Sequence, residues 1–234
     1  MFQLSLTQII STFKSVFVVS TLMSCLTLAV PVLPPATVDN PCRTIGQHQP
    51  ELGGSLKQEL WDTLTQLEKW QAEIKRAVHV IADEGLLTSR MRTQLDELPY
   101  LLSGLPLVPS KVSKLNKGNM SRSLEVDHQD IQRLAIFSDI LQAEESGNDL
   151  LKSSLLSTKH FAYVCLCRVD SLLRLNHIKS THFLTDSIMT DQVKSHVTSE
   201  DKGGWTVSYL TLVTAEKRVA LINKQYRDLY ESLS

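Results

Sequence analysis

Glycine, proline and aromatic residues are scarce in this chain. Of its 234 residues, 9 are glycine and 8 are proline, and aromatic residues make up 6%. So few turn-forming residues, with abundant Leu, Glu, Gln and Lys, argue against a many-stranded β-sandwich. Hydrophobic residues amount to 42%, which argues against disorder because a core can form. The composition predicts a mostly helical globular protein.

The chain also lacks an excess of charge and the motifs of common enzymes. Its 24 Lys and Arg are offset by 25 Asp and Glu, so nothing drives it electrostatically toward nucleic acid. The sequence has no Gly-x-Ser-x-Gly elbow, no His-Glu-x-x-His zinc motif, no glycine-rich phosphate loop and no dinucleotide fingerprint. Its cysteines and histidines have no zinc-ligand spacing. We predict a protein that is not an enzyme and that uses no cofactor or metal ion.

The N-terminal residues differ in composition from the rest. Lys14 is the single charge in residues 1–37, and an apolar run covers residues 15–29. This run is short for a bilayer core of about 30 Å but suits a signal peptide, with cleavage after Ala29. An uncleaved membrane anchor is the alternative. We predict a signal peptide, an N-terminal segment and a helical domain, over residues 1–29, 30–54 and 55–234.

Four long segments repeat apolar residues every three or four positions, the period of an amphipathic helix. Helix A covers about 55–83, with Ser55 and Gln58 in capping-box spacing and Gly85 as the stop. Helix B covers about 124–143, helix C begins at the cap Asn148, and helix D begins beyond Gly203-Gly204 and runs almost to the C-terminus. The predicted core positions are Leu56, Leu60, Leu64, Leu67, Ile74, Val78 and Ile81 in A, Ile131, Leu134, Phe137 and Leu141 in B, Leu151, Leu155, Ala162, Cys165, Val169 and Leu172 in C, and Leu212, Ala215, Val219, Ile222, Tyr226 and Leu229 in D.

The connections between these helices are long, short and long. A short connection forces antiparallel neighbours, whereas a long crossover lets the next helix run in the same direction. The spacing therefore predicts an all-α, long-chain up-up-down-down four-helix bundle with long AB and CD crossover loops. Apolar residues from Leu98 to Val108 are expected to pack along the bundle, with at most one short helical turn.

This pattern resembles the interleukin-6 class of cytokines, and within it the leukaemia inhibitory factor, oncostatin M and ciliary neurotrophic factor group. The likeness spans about residues 42–232, with Cys42 before helix A and two cysteines inside His160-Phe-Ala-Tyr-Val-Cys-Leu-Cys-Arg-Val169 of helix C. Relatives that use the leukaemia inhibitory factor receptor carry Phe-x-x-Lys at the start of helix D. Here that stretch reads Trp205-Thr-Val-Ser208, so the lysine is replaced, and the second cysteine pair of those relatives is absent.

The resemblance implies a disulfide from Cys42 to helix C. Cys165 lies on the apolar stripe, and Cys167 lies about 200° away on the helix. An outward-facing Cys167 is easier to reach, which favours Cys42–Cys167 and leaves Cys42–Cys165 open. One thiol stays unpaired, so we expect a monomer, with a disulfide-linked dimer as the alternative. The Asn119-Met-Ser121 sequon predicts glycosylation of Asn119.

The resemblance further implies a secreted ligand that brings cell-surface cytokine receptor chains together, including a shared signal-transducing chain, and so triggers intracellular kinase signalling of the JAK/STAT type. One contact patch would lie on helices A and C, and another near the AB loop and the start of helix D. Two other functions stay open, a secreted lipid-binding helical bundle and a membrane-anchored helical adaptor. The candidate contact residues are Gln66, Lys69, Glu73, Arg76, Lys159, His160, Lys202 and Trp205.

Two tryptophans, Trp61 and Trp70, flank the predicted stripe of helix A. Large aromatic side chains beside a core-facing stripe either rim an interaction patch or pack beneath a covering loop. Packing beneath the AB or CD loop is the favoured interpretation for both.

Overall fold

The helices of the described part of the chain are accompanied there by no strand, which confirms the all-α part of the predicted fold class. In this computed structural model the described part comprises residues 42, 55–97, 102–109, 115, 118–178, 184, 188–197 and 202–233. The predicted signal peptide lies outside these residues. None of the described helices is long and apolar enough to cross a bilayer. The helices are α1 (Leu56–Asp83), α2 (Ser89–Glu97), α3 (Met120–Glu144), α4 (Asp149–Leu175), α5 (Asp191–Val197) and α6 (Lys202–Ser232).

Helix α1 begins and ends where local sequence signals predict. The side chain of Ser55 accepts a hydrogen bond from the Gln58 N–H at 3.2 Å, which satisfies one of the free donors of the first turn. The Gln58 side chain donates to Asp62 instead of completing a capping box. Beyond the helix, Gly85 has φ of 64°, a left-handed conformation that glycine adopts without strain.

The turn between α3 and α4 is held by side-chain acceptors. One carboxylate oxygen of Glu145 accepts the N–H groups of Gly147 and Asn148 at 2.8 and 3.0 Å. Asn148 then caps α4, because its side-chain oxygen accepts from Leu151 N at 2.8 Å. The predicted cap of helix C is confirmed, and the two long helices are joined by residues 145–148 alone.

Two helix starts differ from the prediction. Helix α3 begins at Met120, one turn before the expected Leu124, because the Met120 side chain is buried against the core. Helix α6 begins at Lys202 and includes Gly203 and Gly204, which were expected to precede it. The first N–H groups of a helix have no hydrogen-bond partner within the helix, so two glycines there cost the helix little stability. The residues that follow them pack on the core.

The crossover segments contain two helices that periodicity did not predict, α2 and α5. Helix α2 has only two large apolar residues, Met91 and Leu95, too few to produce a recognisable stripe. In the expected AB cluster, Leu105 is buried whereas Leu107 is 79% exposed, so the backbone alternates between core and solvent there. Residues 98–101 of that cluster lie outside the described part.

The predicted core positions of α3, α4 and α6 are all buried, whereas Leu56 and Val78 of α1 are only partly covered. The interpretation of Trp70 needs correction, because this side chain is fully enclosed in the core and does not flank it. Trp70 lies three residues after Leu67 and four before Ile74, so it belongs to the stripe itself. It is the largest of the fully buried side chains in the described part.

The four long helices pack as neighbours around this core. Helix α4 packs against α1 and α3, while α6 packs against α1 extensively and against α3 less. The short helices belong to the crossovers; α5 packs on α6, and Asp96 of α2 accepts a hydrogen bond from the Tyr209 hydroxyl of α6 at 2.9 Å. The second crossover segment thus packs on the helix that follows it, whereas the first is hydrogen-bonded to α6, the last helix of the chain.

Candidate functional site

One exposed stripe of α1 carries all four candidate residues of that helix. Gln66, Lys69, Glu73 and Arg76 follow Asp62 at four- and three-residue steps, which places them on one side of the helix. The guanidinium of Arg168, in α4, lies 3.8 Å from the Asp62 carboxylate. The stripe therefore borders α4.

Within this stripe the two cationic residues are the most exposed. Lys69 and Arg76 face solvent, while Gln66 and Glu73 are half-buried. Both carboxylate oxygens of Glu73 accept from Arg76 Nη1, at 2.9 and 2.6 Å. Because the Arg76 end of this ion pair is exposed, the pair adds little stability, about 0–1 kcal/mol, and Arg76 can be re-paired with a partner at small cost.

The outward side of α4 adds apolar surface beside the α1 stripe. Leu150 lies about five helical turns before Arg168, and so on the side of α4 that borders α1. Its side chain is 57% exposed, and Leu156 on the outer face is 51% exposed. His160 is exposed between them and meets the ring of Phe161 edge-on, with centroids 5.3 Å apart. Mixed charge around exposed apolar side chains is the composition of many protein interfaces.

Lys159 does not join this surface. It lies about two and a half turns before Arg168, which turns it to the opposite side of α4. There its ammonium group pairs with Asp139 of α3, and the same carboxylate accepts from the Tyr163 hydroxyl at 3.3 Å. Lys159 thus ties α4 to α3, whereas the other five candidates of α1 and α4 share one region.

Trp205, the aromatic candidate of α6, leans on the turn between α3 and α4. It is half-buried and packs against the core. A Cβ atom added at Gly147 would lie 3.7 Å from Cζ2 of its indole ring. The indole therefore supports the turn with one edge and leaves another edge exposed. Lys202 opens the same helix, and its side chain lies outside the described residues.

An exposed aromatic cluster lies where α1 meets α6, and the periodicity of the sequence did not predict it. Trp61 is 53% exposed, and its ring centroid lies 5.6 Å from that of Tyr230. The ammonium of Lys57 lies 5.2 Å from the Tyr230 centroid, within cation–π range. Trp61 thus packs against α6. No short-range pattern in a sequence indicates that two side chains from its opposite ends are in contact.

The cysteines have distinct environments. Cys42 and Cys167 form a disulfide with Cα atoms 5.4 Å apart, the pairing that the helical position of Cys167 favours. Cys165 is free and fully buried, and burial raises the pKa of its thiol. Because thiolate is the reactive form, this thiol is inert near neutral pH.

Asn119, the predicted glycosylation site, directly precedes α3. Its side chain makes no capping hydrogen bond and is half-exposed, between the exposed Gly118 and Ser121. The sequon therefore lies at the surface, where a glycan could be attached.

Neither a metal-binding cluster among the described residues nor a similar protein points to a further functional site. Among the described residues, no group of three or more His, Cys, Asp or Glu side chains could hold a metal ion. The chain matches no protein-family model, no curated protein and no solved structure at a significant level of similarity.

Proposed function

We propose that this chain is a secreted long-chain four-helix cytokine of the interleukin-6 class, which binds cell-surface cytokine receptor chains and brings them together. The observation that carries this proposal is the set of contacts between helices, which supports an up-up-down-down bundle. Two long crossovers around one short turn are typical of growth hormone and cytokine bundles, whereas simple bundles alternate direction.

Three contacts support antiparallel α1 and α6. From one of these contacts to the next, the residue number in α6 falls as the residue number in α1 rises, which is the order that antiparallel helices produce. The short connection between α3 and α4 supports an antiparallel arrangement of those two helices. The contacts between α1 and α6 are Trp61–Tyr230, Glu68–Arg227 and Lys75–Glu216.

Two further contacts favour this topology over a simple up-down bundle. Trp205, near the start of α6, lies beside Gly147, just before α4, which supports parallel α4 and α6. Glu59, near the start of α1, meets Arg168 in the last third of α4 at 3.3 Å, which supports antiparallel α1 and α4. In an up-down bundle the start of α1 would lie beside the start of α4.

The first proposed receptor surface combines the α1 stripe with the outward side of α4. Lys69 and Arg76 supply cations, His160 a further polar group, and Leu150 and Leu156 the apolar area. The second surface lies at the start of α6 and includes the exposed edge of Trp205. Because a few central residues carry most of the energy of such interfaces, single changes within each surface should have large effects.

The experiment is expression of the full chain in a secretory mammalian line, followed by STAT phosphorylation in cells that carry receptors of this class. We expect protein in the medium whose N-terminus lies near Val30. K69E/R76E and W205A should each lower potency at least about tenfold, the effect of losing one hot-spot contact. K217E and K224E, exposed on α6 outside both surfaces, should keep full potency.

The outcomes separate the alternatives. Protein retained in membranes with an intact Met1 would favour the anchored adaptor. Secreted protein that causes no STAT phosphorylation but binds and opens liposomes would favour the lipid-binding bundle, which needs wide apolar helix faces. Equal potency of all variants would contradict the two proposed surfaces.

A further inference from the structure

An enclosed group of charged side chains joins α3 to α6. Arg218 of α6 donates from Nη2 to Asp127 at 2.7 Å and from Nε to Asp130 at 2.8 Å. Arg218 and Asp127 are buried, and Asp130 is largely covered. This pair of helices makes fewer contacts than its neighbours do, so the ion group is a prominent link across that side of the bundle.

The charges in this group do not balance. Two carboxylates share the buried Arg218 guanidinium. A second cation, Arg133, acts on Asp130 but not on the more deeply buried Asp127, whose charge is therefore only half compensated. Burying an uncompensated charge is costly, and proteins commonly avoid it by changing a protonation state. A bound proton would cancel the uncompensated charge and leave Arg218 paired with a single carboxylate.

The position for that proton is Asp127 Oδ2. The other oxygen of this carboxylate, Oδ1, accepts from Arg218. Within the described part of the chain, neither Asp127 Oδ2 nor the Tyr226 hydroxyl has a partner at hydrogen-bond geometry, although the two groups face each other. A carboxylic acid O–H at this position could donate to the Tyr226 oxygen, which would satisfy two buried polar atoms.

The surrounding groups supply no second cation to Asp127. On α3 the neighbouring charged group is Asp130, whose ionised form is stabilised by Arg133 as well as by Arg218. On α6 the facing groups are Arg218 and Tyr226, and Tyr226 also interacts with the neutral thiol of Cys165 in α4.

The adjacent pair of His128 and Asp170 lies at the contact of α3 with α4. Burial lowers the pKa of His128 and the Asp170 charge raises it. Because burial has the larger effect, His128 is neutral at physiological pH and adds no positive charge to the interior.

We propose that this cluster takes up one proton at Asp127 as the pH falls through the neutral range, so that mild acidification stabilises the native bundle. Burial raises the pKa of Asp127 to about 7, although Arg218 opposes this, and burial also raises that of Asp130. In the unfolded chain Asp127 returns to an ordinary value of 3.8. The stabilising contribution is therefore complete below about pH 4 and is lost progressively as the pH rises from there to about 7, a range in which the folded chain holds a proton that the unfolded chain has released.

The test compares urea unfolding of the full chain and its D127N variant from about pH 5.5 to 9. Because the amide imitates the protonated acid, the ratio of the wild-type to the variant folding constant should fall by up to about tenfold per pH unit from pH 5.5 to about 7. Above about pH 7 the ratio should be level, because Asp127 is then ionised in both the folded and the unfolded chain. D139N alters an exposed carboxylate on the same helix and should keep the wild-type pH dependence. A ratio for D127N that does not change with pH would overturn the proposal.

A second measurement decides the question if D127N does not fold. Carbon-13 NMR of the aspartate carboxyl groups in the folded wild-type chain should show one group that titrates near pH 7. Titration of all aspartates below about pH 5 would overturn the proposal.

Discussion

Gly104 and Ile188 bring the two crossover segments into direct contact. Gly104 has φ of 95°, and a Cβ atom added to it would lie 2.2 Å from the Ile188 carbonyl oxygen. The same Cβ would lie 3.3 Å from the Phe137 ring of α3. Only glycine allows this close approach, since any side chain would meet backbone that cannot rotate away.

We expect G104A to destabilise the fold by about 2–4 kcal/mol, the sum of backbone strain and steric overlap. The matched control is G85A, because Gly85 also has positive φ but no atom within 4 Å of the added Cβ. G85A should lose only the strain, about 1 kcal/mol. Urea denaturation measures both, and equal losses would show that the two crossover segments do not touch.

The buried ion group should be far more sensitive to substitution than a surface pair. R218M leaves two buried carboxylates without their cation and should cost about 3–5 kcal/mol at neutral pH. R227M removes an exposed partner of Glu68 and should cost less than about 1 kcal/mol. Denaturant unfolding at constant pH gives both numbers. Similar losses would mean that water reaches Arg218.

Replacing each of the two tryptophans of α1 should lower the stability of the fold by very different amounts. W70A removes a fully enclosed side chain and should cost about 3–5 kcal/mol through the cavity that it leaves. W61A removes a half-exposed ring and should cost about 1 kcal/mol, largely its contact with Tyr230. Fluorescence emission from Trp61 should be red-shifted relative to Trp70, and the reverse order would contradict the burial described.

The cysteine variants test the disulfide pairing by intact mass under non-reducing conditions. C165A should retain the disulfide, whereas C42S and C167S should each lose it. Loss of a bond across 125 residues should cost up to about 4–5 kcal/mol in the chain-entropy model. A C167S protein that still forms an internal disulfide would place the bond at Cys165.

Local signals in the sequence were enough to predict the helices but not their side-chain pairings. Ser55, Asn148 and the apolar stripes act within a few residues of chain, so the bounds of α1 and the start of α4 could be predicted. The contacts of Arg218 with Asp127 and of Trp61 with Tyr230 join distant segments. Their geometry depends on how helices pack, about which periodicity carries no information.

The residues of the candidate receptor surface could likewise be predicted only where local sequence signals were sufficient. The three- and four-residue spacing of Gln66, Lys69, Glu73 and Arg76 is enough to put them on one side of α1. It could not reveal that Lys159 turns toward α3, because the orientation of α4 against two neighbours decides this. The exposed Leu150 and Leu156 resembled core leucines, since residue type does not distinguish the two faces of a helix with apolar residues on both.

The disulfide also has a consequence for the order of events during maturation. Synthesis proceeds from the N-terminus, so Cys42 is made long before either possible partner. In an unstructured chain Cys165 and Cys167 are equivalent thiols two positions apart. Once α4 is coiled and docked, Cys165 is fully enclosed, whereas Cys167 lies where Cys42 reaches it. Packing of α4 before oxidation thus selects the partner of Cys42, and oxidation before packing would yield a mixture of isomers.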